Sequence, residues 1–324
     1  MKILITGGAG FLGQRLAHEL LKSQQKHMVT EMVLADIAPL RDAVLLADAR
    51  VRGVTGDLRQ LLGQGLLEGV EGVFHLAAAV SGECEADIDI GLQANLDTTR
   101  ALIDACHTLT QPPKLVFSSS LAVYGGDMPE VITDNTLPMP QNSYGTQKFI
   151  CEQLIADYTR KGYLDGRSVR LPTVTVRPGK PNKAASGFMS GIIREPLAGA
   201  DAVCPVDLNT GVWITSPRYA VAGLIAAFDT PRERWGGRTA MNLPGLSVRV
   251  AEMLAALERR AGEAVAAHVR VQKDESISTI VGGWPWRFDT ARARGLGLRG
   301  PASMDDIVAE YIADYPMAVT TAAQ

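Results

Sequence analysis

The chain opens on a short apolar run that breaks into glycines: residues 2–6 read KILIT, and Gly7, Gly8, Ala9, Gly10, Phe11, Leu12 and Gly13 follow. Five such residues make a strand, and glycine lets the chain leave it through positive φ with its amides close to another group. Residues 11–21 then repeat apolar side chains at helical spacing. Strand, tight turn and helix in immediate succession commit the segment to a parallel sheet with helical crossovers, because a hairpin arm would turn straight back into a second strand.

The rest of the chain agrees. Strand-like runs occupy residues 31–36, 51–55, 72–76 and 114–118, with helical patterns between several of them, notably 94–109. Residues 141–160 read as a long helix with Asn142 or Ser143 as its N-cap. Residues 169–177 form a further strand, whose first half Pro172 turns into an edge or a bulge. After Pro178 the pattern breaks into a loop and short mixed segments. The predicted fold class is therefore α/β. It is a Rossmann-type doubly wound parallel sheet over residues 1–178, with segments near 215–245 (216–228 and 241–243) returning to it. Residues 179–324 are expected to form mainly a smaller substrate-binding region. Residues 318–324 read as a frayed tail.

Glycines at 7, 10 and 13 between a strand and a helix aim the helix's first N–H groups, and its positive end, at an anion such as a pyrophosphate. Asp36 ends the second strand, at the distance where a carboxylate accepts hydrogen bonds from adenosine ribose hydroxyls. A carboxylate there repels a 2′-phosphate, so the predicted cofactor is NAD and not NADP.

Tyr144 and Lys148 stand four apart on the predicted helix, on one face. A phenol titrates near ~10, too high for a base at neutral pH. A neighbouring ammonium and a positive nicotinamide ring both favour the phenolate, and lowering it by about three units takes roughly 4 kcal/mol. The run Ser118, Ser119 and Ser120 follows the fifth strand at its carboxyl end, where open α/β sheets place ligands. Ser120 is suited to hydrogen-bond a reacting oxygen.

Composition excludes other readings. A net charge of −3 offers no basic face to nucleic acid or anionic membrane, and no apolar run reaches the ~20 residues of a bilayer span. Cys84, Cys106, Cys151 and Cys204 lack any CxxC spacing and the histidines form no HxxxH or HxH pair. Neither a disulfide framework nor a metal site is expected, and a reducing cytoplasm is the expected location.

With these motifs in order, the chain resembles the extended short-chain dehydrogenase/reductases, the group of NAD-dependent epimerases and dehydratases. The matching pieces are the glycine turn, Gly56-Asp57-Leu58, His75-Leu76-Ala77-Ala78, the Asn95 helix, the run from Ser118 to Gly125, Tyr144 with Lys148, and Arg177-Pro178-Gly179. Asp289-Thr290-Ala291-Arg292 and Leu296-Gly297 resemble the family's C-terminal helix signature. The resemblance implies that Gly7, Gly10, Phe11, Leu12, Gly13, Asp36, Asp57, Leu58, Leu76, Ala77, Ala78, Ser118, Tyr144, Lys148, Pro178 and Gly179 line the cofactor. It implies Ser120, with Ser118 the weaker candidate, as the catalytic serine, and Asn95 as holder of a water that links Lys148 to solvent. It also implies a homodimer through the helices at 94–109 and 142–160.

The substrate end departs from the nucleotide-sugar members, which carry an arginine-aromatic run ending in a histidine and paired aspartates. Here residues 211–219 read GVWITSPRY, without either. The run RPGKPNKAASGF from Arg177 to Phe188 resembles the family's branch acting on four-carbon sugar acids, D-erythronate among them. It offers Lys180, Asn182, Lys183 and Ser186 to a small hydroxylated carboxylate, with Arg218 and Arg194 as further cations. The resemblance implies oxidation at C2 of such an acid. A nucleotide-sugar 4-epimerase with no net NAD turnover is the alternative, and a non-catalytic NAD-binding protein the remote one.

Overall fold

The computed structural model describes residues 1–23, 27–179, 184–237 and 240–316. Lys180, Asn182, Lys183 and the expected tail at 318–324 lie outside them. Two compact units make up the chain: Met1–Ser120, Asn142–Arg170 and Val221–Met241 in the first, Leu121–Gln141, Leu171–Ala220 and Asn242–Gln324 in the second.

The first unit is built on β1 (Lys2–Thr6), β2 (Glu31–Asp36), β3 (Val51–Thr55), β4 (Gly72–His75), β5 (Lys114–Ser120) and β6 (Asp165–Leu171). The chain then forms β7 (Thr173–Val174), β8 (Ala202–Cys204), β9 (Gly211–Thr215), β10 (Ala240–Asn242), β11 (Leu246–Arg249) and β12 (Val269–Val271). The main sheet has seven strands in the order β10-β6-β5-β4-β1-β2-β3. The pairings β1–β2, β1–β4, β2–β3 and β4–β5 are all parallel. Strand order reverses beside β1, the switch point at which doubly wound sheets bind ligands beyond their carboxyl ends.

Apolar side chains fill both faces of the central strands, as a sheet covered by helices on each side requires. Leu4, Val73, Leu115 and Phe117 pack with Leu102 and Ile103 of the helix Thr98–His107 and with Cys151 and Ile155 of the helix Ser143–Arg160. Each fully buried aliphatic side chain there contributes about 1.5–3 kcal/mol. Against Gly72 at the start of β4 lies the ring of Phe228, at 2.7 Å from where a Cβ would stand. Phe74 meets the same ring at 5.1 Å between centroids, and the Lys114 ammonium covers it at 4.9 Å. A residue with a side chain at 72 would push the helix Pro217–Asp229 off the sheet.

Three local readings change. The fifth strand runs on to Ser120. The continuous strand expected at 169–177 is broken: β6 ends at Leu171 and β7 begins at Thr173 in a different, three-stranded sheet ordered β11-β9-β7. Pro172 between them has no N–H to donate to a ladder. The helical pattern at 94–109 resolves into a π-helical turn, Leu92–Asp97, running into the helix Thr98–His107. A wider turn has the same side-chain chemistry as an α-helix, so periodicity does not separate them.

The second unit holds that three-stranded sheet, a two-stranded pairing of β8 with β12, and the helices Phe188–Leu197, Val250–Ala261 and Met304–Asp314. Its core joins Met189, Ile192, Ile193, Ile214, Leu257 and Val308. Among the described residues no helix is long and apolar enough to cross a membrane.

Candidate active site

The glycine turn folds as its sequence demands. Gly7 stands at φ +70°, and a Cβ on Gly13 would lie 2.2 Å from the Gly7 carbonyl oxygen. A Cβ on Gly7 itself would lie 2.8 Å from the Ala77 amide nitrogen, so the turn packs directly on the backbone that follows β4. The helix Phe11–Lys22 starts at Gly10, which brings no side chain to cap it. Its first turn, carrying Phe11 and Leu12, therefore presents N–H groups to an acceptor from outside the helix. Asp36 at the end of β2 accepts from the Ala9 amide at 3.0 Å and from Ala38 at 3.1 Å. One carboxylate so ties the turn to the strand end where a ribose would lie. A side-chain-free anion cradle with an acid beside it fits a dinucleotide.

Other expected cofactor positions surround this turn. Leu76 donates its amide to the Thr6 carbonyl at 3.1 Å, and Ala77 donates to the Thr6 hydroxyl at 3.3 Å. Ala78 follows, exposed. Asp57 caps the short helix Leu58–Leu62 by accepting from the Arg59 amide at 2.8 Å, and Leu58 is buried beneath it.

Tyr144 and Lys148 come one turn apart in the helix Ser143–Arg160, whose N-cap Asn142 accepts from the Gly145 amide at 2.8 Å. Lys148 is only 2% exposed. Its ammonium donates to the Ser118 carbonyl at 2.9 Å and lies 4.6 Å from the Phe117 ring centroid and 5.6 Å from that of Tyr144. Burial pushes its pKa down to about 8. The Ser118 hydroxyl is spent on the His75 carbonyl at 3.1 Å, inside the sheet. Ser120 sits half-buried at the strand terminus. His75 is wholly buried between the hydroxyls of Thr6 at 2.6 Å and Thr99 at 2.9 Å, and burial pushes its pKa down to about 3. A neutral imidazole next to a buried ammonium adds no repulsion.

Asn95 lies in the π-helical turn, 2% exposed. Its amide oxygen accepts from Ala79 at 2.8 Å and its amide nitrogen donates to Gln147 at 2.8 Å. The side chain thus braces the segment after β4 against the helix bearing Tyr144 and Lys148.

In the second unit, Pro178 precedes Gly179 at φ +81°, and Ser186 lies in the short 3-10 turn Ala185–Gly187. Arg218 is 63% exposed, with its guanidinium 3.8 Å from the Glu310 carboxylate. Arg194 is turned inward, donating to the Arg177 carbonyl at 2.7 Å and to Glu195 at 2.5 Å.

Sequence reasoning passes over Glu152 and Arg170. Glu152 has no exposed surface and accepts from Arg170 at 2.8 and 2.5 Å and from Ser119 at 2.5 Å. Two signals were available: Glu152 stands four residues beyond Lys148, and Arg170 interrupts an apolar strand.

Comparison with known proteins gives the family. Residues 3–211 match the model of the NAD dependent epimerase/dehydratase family. A D-erythronate dehydrogenase from Cupriavidus necator is 49% identical over 98% of this chain and 100% of its own length. A second D-erythronate dehydrogenase, from Haemophilus influenzae, is 44% identical, again over 98% of this chain and 100% of its own. Among solved structures, a nucleoside-diphosphate-sugar epimerase from Agrobacterium tumefaciens superposes with a TM-score of 0.92 at 40% identity, covering 98% of this chain and 95% of that one. The chain that carries this glycine cradle, with Asp36, Tyr144 and Lys148 beside it, belongs to the NAD dependent epimerase/dehydratase family and is an NAD-dependent oxidoreductase.

Proposed function

We propose that the chain oxidises D-erythronate, or a closely similar four-carbon sugar acid, at its C2 hydroxyl to the 2-oxo acid. One observation carries the chemistry: a buried Lys148 ammonium fixed to the Ser118 carbonyl beside the Tyr144 ring, at the end of the strand bearing Ser120. Two full-length relatives that carry the D-erythronate dehydrogenase name support the choice of substrate.

In this reading Tyr144 removes the proton of the C2 hydroxyl, and Lys148 lowers the cost of the phenolate by placing a positive charge one helical turn away. Ser120 donates a hydrogen bond to the substrate oxygen as the carbonyl forms. NAD, when bound, accepts the hydride that leaves C2. Asp36 and the glycine turn hold the dinucleotide, and Asn95 holds the segment from Ala77 to Ala79 against the helix. A cation grips the carboxylate, Arg218 among the described residues and Lys180 or Lys183 outside them.

The test offers the purified enzyme NAD with D-erythronate, L-threonate and UDP-glucose, and follows NADH absorbance. NADH formed in step with the 2-oxo acid supports the reading. Silence on the sugar acids, with UDP-glucose converted to UDP-galactose and no NADH, replaces it with the 4-epimerase.

A further inference from the structure

Tyr144, Lys148 and Glu152 recur every fourth residue on one face of the helix Ser143–Arg160. The first two belong to the proposed chemistry, whereas Glu152 lies below it with no exposed surface. A carboxylate there is costly to bury unless each oxygen is engaged. Glu152 receives two bonds from the Arg170 guanidinium, at 2.8 and 2.5 Å, and one from the Ser119 hydroxyl at 2.5 Å. Arg170 comes from β6 and Ser119 from β5. The single carboxylate therefore joins the helix to both neighbouring strands.

Ser119 is the residue between the two that the chemistry uses. Its predecessor, Ser118, presents the carbonyl that holds the Lys148 ammonium at 2.9 Å, and its successor is Ser120. We infer that Glu152, clamped by Arg170, is a positioning residue: through Ser119 it fixes the strand end so that the Ser118 carbonyl and Ser120 keep their place against Lys148 and Tyr144. This rests on the proposed roles of Tyr144 and Lys148 and extends them to a third helical turn.

The clamp also has an electrostatic side. The charged and titratable groups facing Lys148 are Tyr144, Cys151 and Glu152 from its own helix, Cys84 from the helix Ser81–Ala86, and His75 from β4. Arg170 faces Glu152 from β6. His75 is held neutral by burial, and burial raises the pKa of both thiols, so Glu152 supplies the negative charge near the ammonium. Neutralising it removes that negative charge and favours the free amine.

The experiment compares the enzyme with Glu152→Gln and Ser119→Ala, reading NAD affinity by calorimetry and sugar-acid oxidation against pH. Glu152→Gln is expected to lower kcat by tenfold or more, with the alkaline limb of its pH profile moved toward acid. Ser119→Ala, which leaves the ion pair intact, is expected to lower kcat by about threefold to tenfold with the limb in place. NAD affinity is expected to stay within about threefold in both. If Glu152→Gln fails to fold, Ser119→Ala carries the test alone. Unchanged kcat in Ser119→Ala, or an unmoved limb in a folded Glu152→Gln, overturns the inference. Tyr144→Phe and Lys148→Met run beside them: if those two stay active, the underlying reading falls, and if they are inactive while both other variants match the parent, only the clamp falls.

Discussion

The ammonium of Lys148 donates to the carbonyl of Ser118 at 2.9 Å, deep enough that only 2% of the lysine is exposed. Helix and strand end are joined there by a charge that water barely reaches. Burial lowers the lysine pKa from 10.5 to about 8, which places its loss of charge within reach of ordinary assay conditions.

That shift has a sign that stability measurements can read. Below about pH 8 Lys148 is charged in both folded and unfolded chains, and the fold carries the full desolvation penalty. Between about 8 and 10.5 the unfolded chain binds more protons than the folded one, so stability rises with pH through that window. Urea unfolding at pH 7.5, 9 and 10 should show the parent gaining up to about 3 kcal/mol relative to Lys148→Met. A constant difference between the two proteins across the series would contradict the burial of a charged lysine.

Gly13→Ala tests the cradle. The new methyl would meet the Gly7 carbonyl oxygen at 2.2 Å, a backbone atom that cannot swing aside, so the turn must open. NAD affinity should fall by at least tenfold, and the fold should lose about 1–3 kcal/mol, the usual cost of overpacking. Calorimetric titration with NAD and thermal unfolding check both.

Asp36→Ala removes the acceptor that the Ala9 amide now uses at 3.0 Å and the charge that repels a 2′-phosphate. The ratio of kcat/KM for NAD to that for NADP should drop by about a hundredfold, mostly through a raised KM for NAD. An unchanged ratio would show that the coenzyme's ribose is read elsewhere.

Much of the first unit was legible in sequence because its signals are local. KILIT followed by glycines, Asp36 closing β2, and Tyr144 four residues before Lys148 are each decided by neighbours along the chain. The pairing of Glu152 with Arg170 was harder to read: each residue leaves a local signal, but the two lie on different elements, and a helical glutamate reads by default as a solvated charge. Pro172 was seen as a disturbance, but only the fold shows that the chain changes sheets there. In the second unit, strands of two to five residues such as β7, β8 and β9 are too short for alternation to declare itself. Lys180, Asn182 and Lys183, the expected carboxylate contacts, lie outside the described residues.

The most direct test of the proposed reaction follows one atom. D-erythronate carrying deuterium at C2 is incubated with the enzyme and NAD, and the reduced nicotinamide is isolated and analysed by mass spectrometry. The account predicts that the deuterium appears in the reduced coenzyme, and that Tyr144→Phe forms it at least a hundredfold more slowly. Reduced coenzyme without deuterium would mean that another carbon is oxidised, and no reduced coenzyme at all would contradict a dehydrogenase acting on this acid.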